Sequence, residues 1–259
     1  MEPTFATTHP YRLTTLLVLA ILTAFLLAGT AASIFELDSS STAPAFFFAN
    51  LALALLVAAL LTKLRWWKHI GFQAATTPRD LRLYWLPFAM IAVNLSNGFA
   101  DMGVGRMVYF LLLAALIGFV EESVFRGLIL RAIIPRGRWK AVAISTVLFG
   151  LLHSMNVAAG ADVLATVLQI GYALAIGFGF AAVALRTQVI WPLVIAHALM
   201  DFTSFLAFNG ADSGSPTTTD MLVSAGLILA FTAYGLAMMR RDIRPRAVAP
   251  RQTRVPVAG

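Results

Sequence analysis

Long apolar segments alternate with short polar ones along most of the chain. A helix needs about 17–25 mostly apolar residues to cross the hydrocarbon core of a bilayer. Eight segments approach or reach that length, at about Leu13–Ile34, Pro44–Thr62, Leu83–Ser96, Met107–Ile134, Ala141–Ala159, Val163–Leu185, Val189–Phe208 and Met221–Met239. The third is the weakest, because it is short and is interrupted by Pro87 and Asn94. The pattern predicts an all-α, polytopic bundle of about eight transmembrane helices.

The composition agrees with this pattern. The chain is 59% hydrophobic and 12% charged, whereas a soluble domain carries about 25% charged residues. No polar stretch is long enough for a separate soluble domain. We therefore predict a single transmembrane domain at 1–240, with its motif-bearing core at 107–208, and a basic, disordered tail at 241–259. The chain has no cysteine, which excludes a cysteine nucleophile and thiolate metal ligands.

The basic residues predict the orientation of the chain in the membrane. Seventeen of the 19 lysines and arginines, all except Arg106 and Arg126, fall on one side of the predicted spans, in alternate loops, at span ends or in the terminal segments. Acidic residues such as Glu36, Asp101 and Asp162 fall in the other loops. The positive-inside rule then places both termini in the cytoplasm, provided that the number of spans is even. The arginine-rich tail suits anionic lipid headgroups, and we predict no nucleic-acid partner.

The first span has an alternative interpretation as a cleavable signal peptide. Arg12 precedes an apolar core, and small residues follow at 28–32. The apolar run is longer than the roughly 7–15 residues of a signal peptide core. An uncleaved transmembrane helix is therefore the favoured interpretation.

Charged and titratable side chains interrupt the central spans. Glu121, Glu122 and Arg126 lie inside the fourth apolar segment, and His153 lies in the fifth. The seventh contains His197 and, four residues later, Asp201. Each charge at the centre of a bilayer costs about 2.5–3.5 kcal/mol on insertion scales, and such residues usually mark functional sites. These six residues are therefore the candidate site.

The helical rise predicts that these groups lie at similar depth. At about 1.5 Å per residue, Glu121, His153 and His197 each lie roughly 12–18 Å from the basic end of their spans. Residues four apart share a helix face, so Arg126 can pair with Glu122, and Asp201 can approach His197. Phe149 lies one turn before His153 and can pack beside it. The sequence therefore predicts one polar cluster in the cytoplasmic half of the membrane.

This set of side chains is suited to water activation. A glutamate in a pocket of low dielectric constant can act as a general base near neutral pH, and histidine can orient water, bind a metal or stabilise an oxyanion. Two histidines with carboxylates also make acceptable zinc ligands. The chain lacks a His-Glu-x-x-His motif, a Gly-x-Gly-Asp motif and a Gly-x-Ser-Gly motif within a span. The residues indicate hydrolysis without matching those three protease types.

Three motifs together resemble the CPBP family, the Abi-type and type II CAAX prenyl endopeptidase-like intramembrane proteases. That family carries Glu-Glu-x-x-x-Arg, Phe-x-x-x-His and His-x-x-x-Asn or Asp on separate transmembrane helices. This chain has Glu121-Glu122-x-x-x-Arg126, then Phe149-x-x-x-His153, then His197-x-x-x-Asp201. The similarity spans about Leu113 to Phe205. The first three spans and the eighth carry no diagnostic residues.

The resemblance implies an intramembrane endopeptidase that acts on a membrane-associated peptide or protein, in a bacterial or archaeal cytoplasmic membrane. It implies that Glu121 is the general base for a water held by His153, that Glu122 supports the site and that Arg126 positions the carboxylates. It also implies that His197 and Asp201 stabilise the oxyanion or complete a zinc site with Glu121 and His153. No organic cofactor is implied. An ionised aspartate donates no hydrogen bond, so Asp201, where many relatives have asparagine, favours an orienting or metal-binding role.

Two other functions remain open from the residues alone. The same side chains could form the proton relay of a membrane transporter, although no internal repeat of the kind common in transporters is visible. A non-catalytic membrane scaffold could also retain the motifs. The residues do not identify the substrate, and processing of a CAAX protein, a bacteriocin or another membrane peptide would each suit the predicted activity.

Overall fold

A computed structural model of the chain describes residues 8–35, 39–75, 77–96, 98–209 and 214–240. Regular structure in these ranges is helical throughout, with no strand. The main helices are α1 (Pro10–Ile34), α2 (Ser39–Leu64), α3 (Trp85–Leu95), α4 (Val104–Glu121), α5 (Arg138–Leu152), α6 (Val163–Thr187), α7 (Trp191–Phe208) and α8 (Thr218–Arg240). The predicted all-α, polytopic bundle is confirmed. The predicted tail at 241–259 lies outside the described residues.

Seven of the eight predicted spans are helices long and apolar enough to cross a membrane. The exception is the third. Helix α3 has 11 residues, which corresponds to about 16 Å, roughly half the thickness of the hydrocarbon core. The chain leaves the helix after Leu95, and Gly98 takes a left-handed conformation with φ of 80°. The predicted segment at Leu83–Ser96 is thus helical, since a 3₁₀ turn at Arg82–Tyr84 leads directly into α3, but α3 by itself is too short to be one of the seven spanning helices.

The segment around α3 nevertheless follows α7 along most of its length. The Tyr84 hydroxyl donates to the Val189 carbonyl just before α7 begins, at 2.7 Å. The Asn94 amide donates to the Met200 carbonyl at 2.8 Å. The backbone N–H of Ala100 donates to the carbonyl of Leu206, near the end of α7, at 2.8 Å. This part of the chain thus runs parallel to α7, partly as helix and partly as extended chain, between the two ends of the bundle.

Both ends of the described chain lie at the same end of the bundle. Arg136 donates to the Thr8 carbonyl at 3.4 Å, and Lys140 lies over the Tyr11 ring at 5.4 Å. Arg138, at the start of α5, donates to the Met239 carbonyl at the end of α8. This arrangement is compatible with the even number of crossings that the charge pattern requires. The assignment of that end to the cytoplasm remains a prediction.

Close approaches between helices hold the motif-bearing part together. Gly118 of α4 packs so tightly against α7 that a Cβ there would lie 2.8 Å from the Val194 carbonyl oxygen. A Cβ at Gly150 of α5 would lie 2.5 Å from Leu174 of α6. Small residues allow transmembrane helices to approach in this way. Helices α5, α6 and α7 thereby surround the end of α4, where the candidate site begins.

Candidate active site

The chain changes its helical form where the predicted site begins. Helix α4 ends at Glu121, and residues Glu122–Ile129 continue as a π-helix, in which hydrogen bonds reach five residues back. All eight residues of this π-helical segment are buried. Such segments are rare and often occur at functional sites. The predicted span at Met107–Ile134 lies within one helical segment that is long and apolar enough to cross a membrane, and the π-helical stretch is a feature that the hydropathy pattern did not predict.

Glu122 is the fully buried carboxylate of the site. Its Oε1 accepts a hydrogen bond from Arg126 Nη1 at 2.9 Å and lies 2.7 Å from His197 Nδ1. An ionised carboxylate only accepts hydrogen bonds, so Nδ1 of the histidine carries the proton shared with Glu122. Two charge-assisted contacts at one oxygen fix this carboxylate and join the π-helical segment to α7.

His197 lies between the two adjacent glutamates. While Nδ1 contacts Glu122, Nε2 lies 3.5 Å from Glu121 Oε2. This second contact is an ion-pair distance longer than a normal hydrogen bond, so the ring is hydrogen-bonded to Glu122 and only close to Glu121. Glu121 is the more exposed of the two carboxylates, with 27% of its side chain accessible.

Asp201 is a more distant neighbour of His197 than the sequence spacing suggests. Its Oδ2 lies 3.7 Å from His197 Nε2, beyond the range of a hydrogen bond. The ring is oriented instead by the hydrogen bond that its Nδ1 donates to Glu122. Because 26% of the Asp201 side chain is exposed, this carboxylate contributes charge beside Nε2 without fixing the ring.

Arg126 is fully buried and is held by an aromatic ring as well as by Glu122. Its guanidinium carbon lies 3.9 Å from the centre of the Phe149 ring and 5.4 Å from that of Phe180. Gly177 leaves room for this stack, since a Cβ there would lie 3.0 Å from Phe149 and 3.4 Å from Arg126. A cation over an aromatic face is strongly stabilised in a site without water. Arg126 therefore links Glu122 to the ring of α5.

His153 follows the last residue of α5 and has a defined orientation. Its Nδ1 lies 2.9 Å from the Phe149 carbonyl oxygen, which can only accept. Nδ1 therefore carries the hydrogen, and in the neutral ring Nε2 is a free acceptor. The Phe149 ring lies 5.1 Å from the His153 ring and 6.0 Å from the His197 ring. The predicted contact between Phe149 and His153 is thus present.

A cavity of about 100 Å³ lies in front of these residues. Glu121 and His153 both line it, together with Phe149 and Asn156. Its opposite wall comes from the first two helices, through Ile21, Phe25, Asn50 and Leu53. His197, Glu122, Arg126 and Asp201 do not line it. The structure thus separates the six predicted residues into two that face the cavity and four that lie behind or beside Glu121.

The fit of a metal ion can be judged from the arrangement of the donor groups. Within the described ranges, no group of three or more histidine, aspartate or glutamate side chains is arranged to hold a metal ion. His153 lines the cavity, whereas Nε2 of His197 lies between Glu121 and Asp201, at 3.5 Å and 3.7 Å. The predicted zinc set of Glu121, His153, His197 and Asp201 is therefore not assembled as a single coordination shell.

Helices α1 and α2 contribute to the cavity although no motif in the sequence marks them. Their only sequence signal is Asn50, a lone amide in an otherwise apolar span, and intramembrane polar residues often mark functional sites. The π-helical segment is likewise without a signal in the hydropathy pattern.

The comparison with known families agrees with the motifs. Residues 103–203 match the family model described as type II CAAX prenyl endopeptidase Rce1-like. This segment contains all six candidate residues and runs from the residue before α4 into α7. The resemblance to the CPBP family is thereby confirmed. No curated protein and no solved structure shows significant similarity to the chain.

Proposed function

We propose, taking the Rce1-like match of residues 103–203 as the premise, that the protein is an intramembrane endopeptidase. Its substrate is a peptide bond of a membrane-associated protein or peptide, of the CAAX type or another processed membrane peptide. The observation that carries the proposal is that Glu121 and His153 line one cavity inside a bundle of membrane-spanning helices. A carboxylate and an imidazole acceptor facing one small cavity are the groups required to hold and deprotonate a water molecule.

In the proposed reaction, Glu121 removes a proton from water while the water oxygen forms a bond to the carbonyl carbon of the substrate. His153 Nε2 accepts a hydrogen bond from the other hydrogen of the water, and its Nδ1–H stays on the Phe149 carbonyl. When the tetrahedral intermediate collapses, the C–N bond breaks, and the proton on Glu121 passes to the leaving nitrogen. Atoms and charges balance without a further reactant.

The four residues outside the cavity lining position Glu121 in this proposal. Arg126 and His197 fix Glu122 through its Oε1, and His197 in turn presents Nε2 to Glu121. The contacts support a positioning role for His197 more than contact with an oxyanion, because its ring does not line the cavity. Asp201 supplies negative charge beside the ring. No step is assigned to zinc, because the donor groups do not form a coordination shell.

Glu121→Gln tests the proposal. The purified protein in nanodiscs is incubated with a quenched fluorescent peptide carrying a farnesylated CAAX end, with the same peptide without the lipid, and with a panel of single-span membrane peptides. Wild type is expected to cleave a member of the set. Glu121→Gln is expected to lose at least about 10²-fold, as expected when a general base is removed, with an unchanged melting temperature.

Asp101→Asn is the matched control, because Asp101 is an exposed carboxylate outside the cavity. It should cleave as wild type does. Full activity of Glu121→Gln with a normal fold would remove Glu121 from the mechanism. Proton flux into vesicles without cleavage of any peptide would favour the transporter instead.

A further inference from the structure

Asn50 is a polar residue of the cavity that the proposed mechanism does not use. It lies on α2 between Phe46-Phe47-Phe48-Ala49 and Leu51-Ala52-Leu53, in an otherwise apolar stretch. Its exposed fraction is 4%, and it lines the same cavity as Glu121 and His153. Burying an amide in a membrane-spanning helix is costly unless its polar atoms find partners. The side chain therefore needs an explanation beyond packing.

The orientation of the Asn50 amide follows from its hydrogen bond. Nδ2 donates to the carbonyl of Phe46, one turn earlier, at 2.9 Å. Because a carbonyl oxygen only accepts, this contact identifies the nitrogen and turns Oδ1 away from the helix. Oδ1 has no hydrogen-bond partner among the described residues. Oδ1 is not among the fully buried side-chain atoms that lack a partner, so it is accessible to a donor that enters the cavity. A hydrogen bond from such a donor would contribute about 0.5–1.5 kcal/mol.

The surroundings of Oδ1 indicate which donor fits. The neighbouring wall groups on α1 and α2 are apolar, namely Ile21, Phe25 and Leu53. A single neutral acceptor in an apolar wall does not compensate a buried cation. It does match a neutral N–H, and an extended peptide presents a backbone N–H at each residue other than proline. The apolar neighbours suit the apolar side chains of the same peptide.

We propose that Asn50 Oδ1 accepts a hydrogen bond from a backbone N–H of the peptide substrate and thereby holds the peptide across the cavity from Glu121. This inference rests on the proposed function and extends it, because it gives α2 a part in substrate binding. Asn50 acts on the peptide as a binding residue, and the water-activating groups stay on the opposite wall.

The test measures peptide binding separately from cleavage. Binding is measured in the Glu121→Gln background, with a fluorescent peptide that ends in farnesylated Cys-Ala-Ala-Met. Each backbone amide of the peptide is replaced in turn by an ester, which lacks the N–H. One replacement is expected to raise Kd about 5–10-fold, the effect of losing one hydrogen bond. In Glu121→Gln/Asn50→Leu the same replacement should change Kd by no more than about twofold.

Asn50→Thr provides a second variant in case the leucine variant does not fold. Its hydroxyl can donate to the carbonyl four residues back, as Thr62 does to Ala58 at 2.8 Å on the same helix. It lacks an amide oxygen that reaches the cavity. The inference would be overturned if one ester replacement raised Kd by the full amount of about 5–10-fold in both Asn50 variants. It would also be overturned if no ester replacement changed Kd in Glu121→Gln, or if the peptide did not bind to Glu121→Gln at all. Binding with the expected ester effect, but without cleavage by wild type, would refute the proposed function alone.

Discussion

Replacing Gly118 with alanine should weaken catalysis without a substitution at any charged residue. Gly118 lies one turn before the two glutamates, on the face of α4 that meets α7. An added Cβ would lie 2.8 Å from the Val194 carbonyl oxygen and 2.9 Å from the Ala198 nitrogen. Both are backbone atoms and cannot rotate away. Because ordinary contacts begin near 3.4 Å, α4 and α7 must separate by roughly half an ångström in a closely packed interior.

This separation acts directly on the site. His197 precedes Ala198, and its contact with Glu122 is 2.7 Å long. A shift of roughly half an ångström would lengthen that contact beyond the optimum for a charge-assisted bond and would move Glu121 relative to the ring. Since a misplacement of about 1 Å can cost about 10²-fold in rate, we expect kcat/KM to fall roughly tenfold. The better helix propensity of alanine, about 1 kcal/mol, offsets part of the loss of stability.

The assay is peptide cleavage by the purified protein, with thermal unfolding measured on the same samples. Gly105→Ala is the matched control, because Gly105 lies on the same helix and a Cβ there would have nothing within 4 Å. It should keep wild-type activity. Wild-type activity in Gly118→Ala would refute the reasoning, and so would an equal loss in Gly105→Ala.

Two further predictions concern Phe149 and the metal. Phe149→Leu removes the ring that stacks on Arg126 and should lower both the activity and, by about 2 kcal/mol, the free energy of unfolding. Phe48→Leu is the control, because 64% of that side chain is exposed, and it should change neither quantity. Equal melting curves for the two variants would contradict the role of the stack. Cleavage should survive treatment with EDTA, because the donor groups of the described residues form no coordination shell. Activity that is lost on chelation and restored by zinc would assign a metal to this site.

Two contacts between charged side chains of the site could be predicted from the sequence. The four-residue spacing of Glu122 and Arg126 predicted their contact, and the structure has it at 2.9 Å. Similar depth in the membrane predicted that Glu121 and His197 meet, and their atoms lie 3.5 Å apart. These predictions succeeded because helical rise and periodicity fix the position of a residue along and around its own helix.

The division of the site into two parts could not be predicted. Whether a side chain faces the cavity depends on the rotation of each helix about its axis, which the packing of distant helices determines. His153 therefore faces the cavity while His197 does not. The spacing of His197 and Asp201 predicted their approach, which the structure has at 3.7 Å, but it could not predict that Glu122 on another helix lies nearer to the ring, at 2.7 Å. The cavity wall formed by α1 and α2 depends on equally long-range packing.

The departures from regular helix have the same origin. The third apolar segment is helical from Arg82 to Leu95, and the chain after it leaves the helix and bonds to α7 through the backbone N–H of Ala100. The π-helical segment at Glu122–Ile129 places two charged side chains in a closely packed interior. Hydropathy measures the preference of a segment for the membrane and is insensitive to such local changes of hydrogen bonding.

The central claim is that Glu121 and His153 act on one water molecule. Its most direct test is the kcat/KM of Glu121→Asp, His153→Asn and the double variant, each checked for a normal fold. Residues that act as a unit show strongly non-additive losses, so the double variant should lose about as much as the more impaired single variant. Losses that multiply in the double variant would show that the two groups act independently and would contradict the proposed mechanism.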